Sequence, residues 1–201
     1  MFYIVFSVLF HPKEKSFISF PSFIFYQKTT RVFYSYTIMK DIQLSEHFNL
    51  IEFERSSTAT ANHIDNSCPY QYIPVLQQLC KTILEPLRQH FGEPVIISSG
   101  YRCPTLNIRV GGVYASQHTL GEAADIRIPK TPYSEWKDGV AHTDKEILNH
   151  WFDWIVENTN FDQAIIETSN GKDFWIHVSC RKNKSKNRHQ VITFLLKGGN
   201  K

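Results

Sequence analysis

No two cysteines of this chain stand in a CxxC pair, and none of Cys68, Cys80, Cys103 and Cys180 has the spacing of a structural zinc knot. Four are too few for a disulfide framework in 201 residues. They allow three pairings that sequence does not separate, and they read as mostly reduced thiols. No apolar run reaches the roughly 20 residues that a bilayer span needs. The run Met1 to Phe10 has no basic stretch ahead of it and no small-residue cleavage site behind it, so a secretory signal fits poorly. A surplus of one charge is also missing. There are 22 Lys and Arg against 19 Asp and Glu; four of the bases (Lys13, Lys15, Lys28, Arg31) and one acid (Glu14) precede Met39, and the rest cancel. That balance argues against nucleic acid as a partner. The basic stretch Arg181 to Arg188 reads as a solvated loop rather than a phosphate track. No internal repeat is visible.

What is present falls into two parts. Residues 1–38 hold 12 of the 28 aromatic residues without a helical or strand period. They read as a poorly ordered leader, an unusual membrane-associating segment or, the preferred reading, a spurious extension of upstream sequence joined to a protein that starts at Met39, and no function is rested on them. Residues 39–201 are the well-patterned domain, long enough to bury one hydrophobic core. Leu44, Phe48, Leu50 and Phe53 suggest a short docking element, and residues 56–69 a polar loop. Pro74 opens an amphipathic helix through Ile73, Leu76, Leu79, Ile83 and Leu87, bent at Pro86 and closed by Gly92. Residues 93–98 read as a buried strand and 123–128 as another. Thr143 and Glu146 form a capping box for a helix through Trp151 and Ile155. Strands follow at 163–167, 174–179 and 191–196, the first two joined by a turn at Ser169-Asn170-Gly171. Strands and helices mix without strict alternation, which predicts a small α+β domain with a mainly antiparallel sheet and helices packed around it.

The chemistry concentrates in SSGYRCPTLNIRVGGVYASQHTLGEAAD, residues 98–125. His118 and Asp125 stand seven apart, which on one straight strand would point them to opposite faces. The segment must therefore turn at Gly121, with His118 on the loop and Asp125 on the strand that follows. Ala123 and Ala124 leave room for close packing. His177 sits in FWIHVS, sharing a strand face with Trp175 and Ser179. A histidine in so apolar a strand is either hydrogen-bonded in the core or metal-bound. Imidazole nitrogen and carboxylate oxygen suit zinc, whose catalytic sites use three protein ligands and keep one position open.

SGYR, then SxHxxGxAxD, then WIHVS resembles the zinc D-Ala-D-Ala carboxypeptidase family, peptidase family M15, and within it the phage and prophage endolysin-like murein peptidases. The likeness covers roughly residues 42–180. It implies a small α+β domain with one zinc ion on an antiparallel sheet, bound by His118, Asp125 and His177. It also implies a substrate-carboxylate role for Arg102 and a substrate-binding role for Ser116. A guanidinium fork fits a carboxylate in two-point geometry; the alternative for Arg102 is a salt bridge bracing the Gly100 turn. Asn107, Arg109, Gly111 and Gly112 shape the loop leading to His118.

The general base is open. Many relatives carry an acid three positions before the last histidine, where this chain has Phe174. A hairpin through Asn170-Gly171 would bring Glu167 beside His177, and Glu167 is the preferred base. Asp173 is the runner-up, expected to face solvent, and Glu122 reads as a surface residue of the turn. The expected activity is hydrolysis of a peptide bond in the peptidoglycan stem, as a carboxypeptidase or an endopeptidase, by a monomer with no stable membrane span. Localisation is left unassigned: a phage-derived enzyme would be made in the cytoplasm and act on the wall. Phe174 motivates the alternative, a catalytically inactive wall-binding or phage structural module that keeps the fold. No appended wall-binding repeat is visible, which disfavours a modular lysin.

Overall fold

A computed structural model describes residues 42–129 and 143–196; the reading of residues 1–38 lies outside them. Residues Lys40–Lys201 form one compact unit. Its sheet has five strands: β1 (Ile96–Ser99), β2 (Ala123–Arg127), β3 (Gln163–Thr168), β4 (Phe174–Ser179) and β5 (Gln190–Leu196), in the spatial order β1-β2-β4-β3-β5. The first three pairings are antiparallel and β3–β5 is parallel. This is the α+β class with a mainly antiparallel sheet that the pattern predicts.

The docking element near the start is real. Leu44, Phe48, Leu50 and Phe53 are all buried, each worth about 1.5–3 kcal/mol of burial. The last two lie on helix α1 (Leu50–Glu54), at whose start the Glu52 carboxylate reaches back to accept the Asn49 N–H. The polar segment after it is not all loop: Ser56 caps a short helix, α2 (Ser57–Ala61), by accepting the Ala59 N–H.

The amphipathic helix runs as α3 (Ile73–Leu79) and α4 (Glu85–Phe91), with Ile73, Leu76, Leu79, Ile83 and Leu87 buried as the spacing predicts. The irregularity lies before Pro86 rather than at it. A wide π turn, Cys80–Leu84, brings the Glu85 N–H onto the Cys80 carbonyl. It accommodates a proline that cannot donate the next helical bond. Gly92, at φ 71°, ends the helix. A short helix α5 (Pro104–Arg109) follows β1, and α6 (Asp144–Asn158) starts at the expected Thr143–Glu146 capping box. Helix α6 packs on β3 and β4, and its Trp151 and Trp154 meet Phe91 and His90 of α4.

The first strand departs from expectation. It begins at Ile96, not at Glu93, and Ile96 is 44% exposed while Val95, outside the strand, is buried. Among the described strands β1 lies at the sheet edge, paired there on one side only, and its apolar run is not buried on both faces. The β3–β4 connection is also longer than expected. Thr168 pairs with Phe174, so five residues form the loop. Asn170 Oδ1 accepts the N–H of Lys172 and of Asp173 there. All four cysteines are free thiols, and burial pushes the Cys68 thiol up to about 12. Among the described residues no helix is long and apolar enough to cross a membrane.

Candidate metal centre

The stretch from Gly100 to Asp125 turns back on itself as its spacing requires. His118 stands on a 3-10 turn, Gln117–Leu120, which ends at Gly121 in the left-handed region (φ 69°), and the chain then enters β2. A side chain at Gly121 would be strained by that backbone and would press on Tyr72. Ala123 and Ala124 are fully buried.

Asp125 of β2 pairs directly with His177 of β4, and His118 closes over them from the turn. His118 Nε2 lies 3.2 Å from Asp125 Oδ1 and 3.1 Å from His177 Nδ1; His177 Nδ1 lies 3.0 Å from the same Oδ1. All three residues are buried. Tetrahedral ligands at 2.0–2.1 Å from zinc sit about 3.3 Å from one another, so these atoms already have the mutual spacing of one face of such a tetrahedron. The donor chemistry fits as well. His118 Nδ1 is 2.7 Å from the Gly100 carbonyl, which assigns its hydrogen there and leaves Nε2 as the lone-pair nitrogen. Burial pushes the His118 imidazole below its ordinary pKa despite the pull of Asp125. Burial alone would raise the Asp125 carboxyl, but its two histidine neighbours hold it well below the usual carboxylate range. The group is thus a carboxylate and imidazole nitrogens turned toward one point, and it could hold a metal ion.

Arg102 lies beneath this group, 7% exposed. Its Nη2 donates to Asp125 Oδ2 at 2.7 Å and its Nε to Ser99 Oγ at 2.9 Å, while its backbone N–H donates to the His118 carbonyl. Of the two roles that sequence leaves to Arg102, bracing the Gly100 turn is the one with contacts on view. Ser116 is buried at the start of the His118 turn, where its carbonyl accepts from Thr119. In the loop before it, Asn107 Nδ2 holds the Val113 carbonyl and Arg109 donates to Asn62.

Glu167 does not stand beside His177. The five-residue loop sets the register so that Ile165 faces His177 and Glu167 faces Trp175. Glu167 is nevertheless on the same sheet face, one alternate position away, about 7 Å along the strand. It is buried, and the Trp175 indole N–H donates to its Oε2 at 2.7 Å. The Arg127 guanidinium lies 5.3 Å from the centre of the Trp175 ring. Alternation along β4 was the available sign that Trp175 shares the His177 face; the indole contact had none. Asp173 is exposed, held by Asn170 Nδ2 at 2.6 Å. Phe174 lies under the Lys145 ammonium, 5.1 Å away. Glu122 is no surface ornament: its Oε1 accepts the Lys182 N–H and its carbonyl the Cys180 N–H, so it ties β2 to the segment after β4.

The family profile described as Peptidase M15 matches residues 46–149. The match takes in Arg102, Ser116, His118 and Asp125 and ends before Glu167 and His177. No curated protein matches the chain. The matched stretch is about half of the sequence and contains two of the three side chains that converge on the sheet, and on that ground the chain belongs to the M15 peptidase family.

Proposed function

We propose that the protein is a zinc-dependent peptidase that hydrolyses a peptide bond in the peptidoglycan stem, with His118, Asp125 and His177 as the zinc ligands. One observation carries the reading: two imidazole nitrogens and a carboxylate oxygen, drawn from a turn and two strands, lie within 3.2 Å of one another in a buried position. Bound zinc supplies Lewis acidity, which polarises a carbonyl and makes water a usable nucleophile near neutral pH.

The chain's own residues supply the rest. The Gly100 carbonyl fixes the His118 tautomer, and Arg102 holds the outer oxygen of Asp125 so that the inner one stays turned toward the histidines. Glu167 is the general base: it takes the proton of the attacking water and passes it to the departing amine. Its place on the His177 face and its buried, indole-anchored carboxylate support that role; the exposure of Asp173 disfavours the runner-up. Ser116, and the part of the Arg102 fork not turned to Asp125 and Ser99, are assigned to the substrate side. There the arginine would meet a free terminus in a carboxypeptidase, or a side-chain carboxylate of the stem in an endopeptidase.

The test is zinc content together with product release from purified muropeptides, comparing wild type with His118→Ala and Glu167→Ala. Stoichiometric zinc with every stem peptide left intact would sink the enzyme. Phe174, at the position where many relatives carry an acid, favours a second reading, a wall-binding module that retains the metal scaffold. Retention on sacculi without any turnover would support that reading, and a released amino acid or peptide would exclude it.

A further inference from the structure

The eight residues after Cys180, from Arg181 to Arg188, carry five cations and no acid. They are not the freely solvated loop that their composition suggests. Arg181 Nε reaches Asp162 Oδ1 at 2.8 Å and Arg188 Nη2 reaches Asp162 Oδ2 at 2.6 Å, on a carboxylate with no exposed surface. Gln78 donates to the Arg181 carbonyl, Asn187 accepts the Arg181 N–H, and Asn187 Nδ2 holds the Asn160 carbonyl. Glu122 takes the Lys182 N–H at 2.8 Å.

Both guanidiniums are therefore turned to Asp162, and three ammoniums at alternate positions are left outward: Lys182, Lys184 and Lys186, all on exposed residues. Among the described residues no carboxylate pairs with any of them. With Arg181 and Glu122 they wall an open concavity of about 710 Å³. Three exposed ammoniums against the single carboxylate of Glu122 leave the hollow net positive, and a polyanion is drawn to it.

We propose that this cradle binds the phosphodiester groups of an anionic cell-wall polymer and so holds the peptidase on its substrate layer. The outward cations are lysines, point charges suited to phosphate; the arginine forks that suit carboxylates face inward. The hollow is open and leaves room for more than one phosphate. Nucleic acid is the poorer fit: residues 181–188 include no aromatic side chain on which a base could stack. Position also favours the wall. Glu122 is three residues before Asp125 and Arg181 four after His177, so the cradle opens off the end of the two strands that carry the metal centre, about 10 Å along them. The choice of a wall polymer rests on the peptidase reading above.

The experiment is co-sedimentation of the full-length, zinc-loaded protein with cell walls before and after acid cleavage of their phosphodiester polymer. A Lys182→Gln/Lys184→Gln/Lys186→Gln variant runs alongside. Wild type should bind intact walls, release with added salt, and lose roughly a hundredfold in affinity on stripped walls or in the triple variant, about fivefold per surface lysine. Soluble poly(glycerol phosphate) should compete, and both proteins should cleave soluble muropeptides equally. Binding that ignores stripping, the lysines or the competitor overturns the cradle; equal retention on single-stranded DNA at the same salt overturns the wall assignment. If muropeptides survive while the phosphodiester-dependent binding holds, the peptidase reading fails and the cradle stands.

Discussion

Two buried aspartates organise this molecule, and they are surrounded in opposite ways. Asp162 is met by donors alone: Arg181, Arg188 and the Arg188 backbone N–H saturate its oxygens. Burial would raise its carboxyl, but the hydrogen bonds from Arg188 and Arg181 win and bring it down to about 2. Asp125 gives one oxygen to Arg102 and turns the other toward two imidazole nitrogens. One of those nitrogens, His118 Nε2, carries a lone pair because its ring partner already donates to Gly100. In the first cluster both carboxylate oxygens are already met by hydrogens. The second collects more acceptors than hydrogens around one point, an arrangement that a cation completes. Burial of a carboxylate therefore says little about function; the identity of the groups facing it says a great deal.

The contrast can be broken in several places. The largest effect is expected from His118→Ala, which should abolish zinc retention and bring muropeptide cleavage to background; elemental analysis and product chromatography would show it. Full zinc in that variant would mean that the Asp125 cluster is not the metal centre. Glu167→Gln should retain zinc and lose about 10²–10⁴-fold in kcat. A change confined to KM would remove Glu167 from proton transfer. Arg102→Gln should weaken zinc binding about 10–100-fold, the usual cost of losing a group that orients a ligand, measured by competition with a chelating dye. Asp162→Ala should act on stability alone, costing about 1.5–3 kcal/mol in urea denaturation at unchanged zinc stoichiometry; if zinc falls in parallel, the two aspartates are not separable in function.

The smallest and most specific effect is in pH. The folded carboxyl of Asp162, near 2, is below its ordinary value of 3.8. Its stabilisation should be complete above about pH 4 and fade as pH falls toward 2. Denaturation midpoints over that window should flatten in Asp162→Asn relative to wild type.

Much of this was legible in the sequence because it is local. The Thr143–Glu146 capping box, the apolar series on α3 and α4, and the turn between His118 and Asp125 are set by residues within a few positions of each other. So was the alternation that puts Trp175 and His177 on one face. Long-range partnerships were not. Asp162 and Arg188 stand 26 residues apart, and nothing in RKNKSKNR announces that its two end residues turn inward. The same holds for Arg102 on Asp125, 23 residues on. Register was the other blind spot. The loop Ser169-Asn170-Gly171-Lys172-Asp173 contains a recognisable turn, but only its full length decides that Glu167 faces Trp175 rather than His177. The exposed first residue of β1 escaped for a related reason, since a triplet of Val and Ile does not say whether its strand is central or at an edge.

The absence of a side chain at position 100 links parts of the molecule that look unrelated. A Cβ there would lie 2.5 Å from the Phe53 backbone, so helix α1 rests directly on the peptide whose carbonyl steers His118. The opening segment of the domain thereby supports the placement of the His118 ring. Gly100→Ala should loosen the grip on a metal ion and lower the melting temperature together, since the added Cβ meets the Phe53 backbone.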